Sequence, residues 1–386
     1  MRTTKRRDTL RVFGTGLVAT LAGCGGSQSI ETTGRTVTQP STQTATPTVT
    51  ETPNETATQT ATSVPRVVWR QTVGNYLKSS PAVVDGTVFV GSHARTVSAL
   101  DIDDGTEQWT VETDGSVFGG PTVVDRTVYV GTEEGLYAIT AVDGSIEWRT
   151  TDLWNIRSQP TVRDDTVYVG SDDTHVYALD IETGTVLWQS QSLGGHHSQI
   201  LCSPAVVDDT VVVGTGDRAV VALDAETGTT QWRSDAAGRV YANPVIDGDT
   251  VYVGDRLGLV SLDLDSGEHK SRLNAPVVRG LTRGTRGLYV GAAGSVVAVS
   301  PDENRVRWEQ TATVGAAPAV DDGTVYAGTT GDNKAKAVGG VVALDAESGE
   351  PDWQTTLETS VRTDPAVTAD RVVVGTIGGD VIALER

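Results

Sequence analysis

Between Arg66 and Arg386 short apolar runs alternate with polar, glycine-containing breaks, and no stretch shows the periodicity of an amphipathic helix. Runs such as Thr166-Val167-Tyr168-Val169 and Thr250-Val251-Tyr252-Val253 are β-branched and aromatic, the composition of strands on a pleated, half-buried surface. Two kinds of tight turn join them. An Asp/Gly turn recurs near Asp85-Gly86, Asp164-Asp165, Asp247-Gly248 and Asp322-Gly323. An Asp-x-x-(Thr/Ser)-Gly turn recurs at Asp180–Gly184, Asp224–Gly228, Asp263–Gly267 and Asp345–Gly349. Glycine accepts the positive φ of such turns, and the Asp and Thr side chains hydrogen-bond the turn backbone.

These elements return in a fixed order, as a unit of about forty residues repeated eight times. The third copy reads Pro160, Val167-Tyr168-Val169-Gly170, Ala178-Leu179-Asp180, Thr183-Gly184 and Trp188. Seven copies set a proline ten residues before the glycine: Pro81/Gly91, Pro121/Gly131, Pro160/Gly170, Pro204/Gly214, Pro244/Gly254, Pro318/Gly328 and Pro365/Gly375. Leu281/Gly291 is the exception. Each unit predicts four strands: A from the proline, B to the glycine, C to Ala-Leu-Asp, and D with the tryptophan. Such units, stacked so that each buries its apolar face on its neighbours, are the blades of a β-propeller. The last unit ends after its C strand at Ala383-Leu384-Glu385-Arg386, whereas Trp69 lies twelve residues before Pro81, as Trp109 lies before Pro121. The segment Arg66-Val67-Val68-Trp69-Arg70 is thus expected to be the missing D strand, closing the ring and pairing its open edges. The expected fold is all-β, an eight-bladed β-propeller over residues 65–386.

Tryptophan follows the turn glycine by four residues at Trp109, Trp148, Trp188, Trp232 and Trp353, and occupies the same place of the sixth unit at Trp308. The pattern Ala-x-Asp-x-x-x-Gly-x-x-x-Trp resembles the tryptophan-docking motif of the pyrroloquinoline quinone (PQQ) repeat family of β-propellers. In size and repeat the chain resembles the BamB-like lipoprotein branch of that family. The resemblance implies that each tryptophan packs on the next blade near its alanine and glycine, with a small residue needed at Ala99, Ala138, Ala178, Ala222, Ala298, Ala343 and Ala383. Ser271 stands where the fifth unit should have its tryptophan, so the seam after that blade is expected to be the weakest.

Residues 1–64 follow a different pattern. Arg6-Arg7 opens a basic start, a short apolar run covers Val12 to Ala22, and Leu21-Ala22-Gly23-Cys24 follows. The first resembles a twin-arginine (Tat) export signal and the last a lipoprotein cleavage box. On this reading residues 1–23 are a signal peptide, Cys24 carries lipid, and 24–64 form a tether to the extracytoplasmic face of the cell membrane. Residues 31–64 hold fourteen threonines with almost no large apolar side chain, a composition that cannot offset the entropy of ordering. Asn54-Glu55-Thr56 is a glycosylation sequon within this stretch. With Cys24 lipidated, Cys202 is left without a cysteine partner and is read as a buried apolar thiol.

Charge narrows the partners. The chain carries 30 basic and 50 acidic residues, a net −20. Five of the former and one of the latter precede Cys24, leaving 25 against 49, or −24, for the rest. With only five lysines in the chain, this reads as an acidic surface kept soluble in high salt. A nucleic-acid partner is not expected, since phosphate binding needs clustered basic charge.

Strand direction puts the uniform A–B and C–D turns on one face, and the D–A and B–C connections on the other. Length varies on the second face. The loop before Pro204 gains Gly194-Gly195-His196-His197, and the one after Gly328 gains Gly331-Asp332-Asn333-Lys334-Ala335-Lys336. His196, His197, Lys334 and Lys336 are therefore candidate partner-loop residues. Adjacent histidines with no third ligand nearby make a poor metal site, and none is assigned. Lys78, Arg157 and Arg362 each lie three residues before a proline, and Arg279 two before Leu281, where innermost strands approach the central channel. They are candidates for a ring that attracts a small anion; pairing with acids such as Asp364 and Asp152 is the plainer alternative. No nucleophile elbow, phosphate loop or zinc-protease motif is present, and no catalytic residue is assigned. The expected function is a non-catalytic, lipid-anchored scaffold without cofactor, presenting the D–A/B–C face to a protein partner. The alternative is a PQQ- and calcium-dependent quinoprotein dehydrogenase oxidising alcohols or sugars, with Arg157, Asn243, Asp364 and Trp154 as a nominal cofactor pocket.

Overall fold

The computed structural model describes residues 64–195, 199–274, 278–331 and 338–386. Cys24, His196, His197, Lys334 and Lys336 lie outside the described residues. The rest is an eight-bladed β-propeller. In blade 1 the strands are Ala82–Val84, Thr87–Ser92, Thr96–Asp101 and Glu107–Glu112, paired in chain order. Blade 8 is composite: Ala366–Val367, Arg371–Gly375 and Asp380–Glu385 are completed by Val67–Thr72, whose register runs from Val67 opposite Leu384 to Thr72 opposite Asp380. An Arg66–Glu385 ion pair at 3.7 Å and a Glu385 N–H donated to the Arg66 carbonyl at 2.9 Å hold its outer end.

Burial is concentrated in the seams between blades. The apolar cluster of the blade 1–2 seam joins Phe89, Val97, Ala99 and Trp109 to Val128, Val130, Tyr137 and Ile139. The closing seam joins Trp69, Val381 and Ala383 to Val88, Val90 and Leu100. Each docked tryptophan works in two ways. The indole N–H donates to a carbonyl of the next blade, from Trp69 to Ile102 at 2.7 Å, Trp109 to Ala141 at 2.9 Å, and Trp232 to Leu264 at 2.7 Å. The ring lies so close to that blade's turn glycine that a Cβ would fall 2.6 Å from Trp69 at Gly105, 2.4 Å from Trp148 at Gly184, and 2.5 Å from Trp308 at Gly349. These glycines also have φ near +70°, so backbone and packing exclude a side chain for separate reasons. Removing one indole from such a seam should cost about 3–5 kcal/mol.

The alanine serves the tryptophan of its own blade, a correction to the expectation that it receives the neighbour's. Ala99 lies opposite Trp109, Ala178 opposite Trp188, and Ala383 opposite Trp69, each just before a register shift. A small side chain there lets the indole lie down towards the seam.

Blade 5 departs from the pattern on both sides of its seam. Ser261 and Ser271 replace alanine and tryptophan, and their hydroxyls hydrogen-bond each other at 2.6 Å. In the facing turn of blade 6 the glycine is replaced by Asn304, at φ 46°, which accepts from the Ser271 hydroxyl at 3.1 Å. Where no indole needs the space, the turn carries a side chain. Blade 6 differs again at Leu281. In the other blades strand A begins after the proline and is two or three residues long, whereas Val278–Gly284 runs through Leu281, because leucine keeps the N–H that proline lacks. Strands B and C of this blade form one long element, Gly287–Ser300, which bends at Gly294.

Two outcomes follow from these seams. Ser271→Trp alone should meet the Asn304 side chain and gain little, whereas Ser271→Trp with Asn304→Gly should show a favourable coupling of about 1 kcal/mol or more in a double-mutant cycle of unfolding free energies. A chain beginning at Val64 should keep its melting temperature, and one beginning at Val73 should melt markedly lower for want of Trp69 and the closing strand. Equal melting temperatures would contradict the role given to that strand.

Candidate functional site

The innermost strand sets the geometry of the channel. In blades 1, 3, 4 and 8 a small side chain two residues before the proline caps the end of strand B. Ser79 accepts the Gly91 N–H at 3.0 Å, Ser158 that of Gly170 at 3.0 Å, and Thr363 that of Gly375 at 2.9 Å. Cys202 does the same for Gly214 at 3.1 Å. The thiol is buried as the sequence suggested, yet it acts as a hydrogen-bonding substitute for a hydroxyl; burial pushes its pKa up to about 11, leaving it a poor nucleophile. One residue before the proline, polar groups stitch neighbouring blades together around the channel. The Asp364 N–H donates to Ser80 at 2.9 Å, the Gln159 N–H to Ser203 at 3.1 Å, the Ser203 N–H to the Asn243 Oδ1 at 2.7 Å, and the Ala317 N–H to the Asp364 Oδ1 at 2.7 Å. Burial pushes the Asp364 carboxyl up in pKa against these hydrogen bonds, although part of the residue still faces the channel.

The level above, on the D–A/B–C face, brings Lys78, Arg157, Arg279 and Arg362 to the rim of one cavity of about 200 Å³. The other blades contribute Phe118, Leu201, Tyr241 and Gly315 to the same rim. Arg157 is engaged elsewhere. Its Nε lies 3.0 Å from the buried Asp172 carboxylate and 3.2 Å from Asn155 Oδ1, and its guanidinium stands 4.5 Å above the Phe118 ring. The partner is Asp172, neither Asp364 nor Asp152. Lys78, Arg279 and Arg362 are exposed and, among the described residues, have no carboxylate within ion-pair distance. The rim is therefore divided: cations surround Gly315 on blades 6 to 8 and 1, while aromatic and apolar groups prevail on blades 2 to 5.

Asp172 and Asp255 show how an arginine can hold a buried carboxylate well or poorly. Asp255 receives two Arg272 hydrogen bonds at 3.1 and 2.9 Å and the N–H groups of Leu257 and Gly238; these outweigh burial and hold its pKa below the usual value. Asp172 has Arg157 and the Asn155 amide, its Oδ1 has no partner among the described residues, and burial leaves its pKa raised.

Sequence reasoning missed an aromatic ladder beside this rim. Lys78 stands 5.7 Å over Tyr76; Tyr76 packs edge-on against His93 at 4.9 Å, His93 against Phe118 at 4.3 Å, and Phe118 carries Arg157. The only sequence signal was three rings in loops one blade apart. His93 lies between two cations, and its pKa falls below 6.5 through burial first and Lys78 next.

Of the nominal cofactor pocket, Arg157, Asn243 and Asp364 line the cavity and Trp154, 60% exposed, does not. Of these three, Arg157 pairs with Asp172, Asn243 Oδ1 accepts from Ser203, and Asp364 Oδ1 accepts from Ala317. Among the described residues no three His, Cys, Asp or Glu side chains are gathered so that they could hold a metal ion.

Tryptophan-docked blades, a closing D strand and a polar channel define a PQQ-repeat β-propeller. The family model described as "Outer membrane protein assembly factor BamB" matches residues 32–118, 96–203, 156–287 and 292–386, and the chain belongs to that family. BamB of Salmonella typhimurium strain LT2 is 37% identical over 91 residues, 19% of this chain and 23% of that protein, so the match spans under a quarter of the relative. Among solved structures, BamB from Moraxella catarrhalis superposes with a TM-score of 0.68 at 19% identity, covering 84% of this chain and all of that one. A quinohemoprotein alcohol dehydrogenase from Comamonas testosteroni gives a TM-score of 0.68 at 17% identity, covering 83% and 76%. At these identities the structural likeness is one of fold.

Because His93 is held neutral, its neutral form supports the fold above its unfolded pKa, and that support should be lost as pH falls through the lower folded value. An NMR titration should place His93 below 6.5, and Lys78→Met should raise it towards that value; a His93 pKa above 6.5 would contradict the ladder's electrostatics.

Proposed function

We propose that this protein is a non-catalytic scaffold that binds a protein partner through its D–A/B–C face, held to the extracytoplasmic side of the membrane by lipid at Cys24. The observation that carries the reading is a set of exposed cations on the D–A/B–C face that are left without an ion-pair partner among the described residues. Lys78, Arg95, Arg218, Arg239, Arg256 and Arg362 are exposed on the D–A/B–C face of an acidic chain, with no ion-pair partner among the described residues. The opposite face presents exposed acids in its turns, among them Asp85, Asp104, Asp143, Glu182 and Asp265. The turn carboxylates are used by the fold: Asp180 accepts from the Thr183 N–H and hydroxyl at 2.8 and 2.7 Å, and Asp224 likewise from Thr227. Their pKa values are lowered by these hydrogen bonds, so that face stays negative. Complementary charge of this kind steers association and orients partners.

Two further features agree. Val67–Thr72 enters the propeller from the turn face, leaving the D–A/B–C face unobstructed by the entering strand. The matching family model is named for an assembly factor, a component that works by contact with other proteins. The Tat-like start and the lipid at Cys24 rest on the residues quoted above. The second reading, a quinoprotein dehydrogenase, has the fold of the Comamonas enzyme in its favour and the existing partners of Arg157, Asn243 and Asp364 against it.

Cross-linking the membrane-anchored protein in cells and mapping the linked positions tests the scaffold reading. Links are expected at D–A and B–C residues such as Arg239 and Arg256, and Cys24→Ser should release the protein from membranes or leave its precursor uncleaved. Links confined to the turn face would overturn the orientation. Dye-linked oxidation of an alcohol or sugar after adding PQQ and calcium to the purified protein would overturn the non-catalytic reading.

A further inference from the structure

The divided channel rim has a property that scattered exposed cations do not require. Residues at one level of eight blades form it, and its three cations that have no ion-pair partner among the described residues lie together on blades 6, 8 and 1. Between two of them blade 7 places Gly315 at this level. Gly315 is kept bare by its surroundings, since a Cβ there would lie 2.8 Å from the Thr330 methyl and 3.0 Å from the Val361 carbonyl. The gap opens into a second cavity of about 390 Å³, flanked by Arg279 and Arg362 and floored by Ala293, Gly294 and Gly315. It shares those two arginines and Gly315 with the central cavity. Two guanidiniums thus flank a glycine where the two cavities meet, and Lys78 continues the arc.

We propose that this arc is a socket for the carboxylates of an acidic segment of the partner protein, a reading that rests on the scaffold function above. A guanidinium without a carboxylate of its own offers paired N–H donors to an incoming one. Three cations on separate blades can each take a different carboxylate along one chain. The facing arc adds an apolar contact, since Leu201 and a 40%-exposed Tyr241 line the same cavity. A segment alternating acidic with apolar residues satisfies both sides. Free polycarboxylates share this chemistry, and the two sources separate experimentally.

The probe is a fluorescein-labelled peptide alternating glutamate with leucine and tyrosine, titrated by anisotropy against the full chain at two salt concentrations. The matched control has glutamine for glutamate. Arg279→Gln with Arg362→Gln should weaken binding of the glutamate peptide by about tenfold or more and flatten its salt dependence. Arg126→Gln on the turn face should change nothing, and melting temperatures of all variants should agree. Equal binding of the two peptides, or an unaffected double variant, would overturn the socket. So would citrate binding that depends on the two arginines without any binding of the peptide, which would make the site one for free polycarboxylates. If the peptide does not bind while cross-links still map to the D–A/B–C face, the socket fails and the scaffold function stands.

Discussion

A tryptophan lying flat on a glycine of the next blade is the contact on which this structure depends. It is an apolar contact, a hydrogen bond and a steric test at once: the indole fills the seam, its N–H satisfies a turn carbonyl, and the missing Cβ sets the distance. Because the contact always runs from one blade to the next, each blade depends on its neighbour, and stability is distributed around a ring rather than gathered in one core. The blade 5–6 seam shows that the contact is a matched pair. Ser271 and Asn304 depart from the pattern together and meet through a hydrogen bond.

With the seams carrying stability, the inner ends of the strands have freedom to vary. The capping position accepts serine, threonine or cysteine without change of role, because all three offer an acceptor to the same glycine N–H. The rim position above it varies from lysine to leucine to glycine because it faces the channel. The chemical character of this protein resides in that one variable level, set on an otherwise repetitive frame.

The repeat made the fold legible from the sequence. Strand order, the tryptophan seams and the composite eighth blade all follow from spacing, because spacing records backbone hydrogen bonds and blade contacts that every unit shares. The site was legible only to a degree. Counting from the prolines brought Lys78, Arg157, Arg279 and Arg362 to one level, but no spacing showed that Asp172 had engaged Arg157. That pairing depends on a B–C loop reaching back to its own blade's rim, a tertiary matter. The Tyr76–His93–Phe118 ladder was hidden for the same reason, as its members come from loops with no common motif.

The closing strand also has a mechanical meaning. Val67–Thr72 runs antiparallel to Asp380–Glu385, and the chain reaches it from the end where Arg66 meets Glu385. Tension applied along the strand axis would be shared in shear by the ladder hydrogen bonds, which would not break singly in succession. Trp69, wedged over Gly105, would have to be dragged across the seam before the strand could slide. A pull along that axis is met by the geometry in which a β-ladder resists it best.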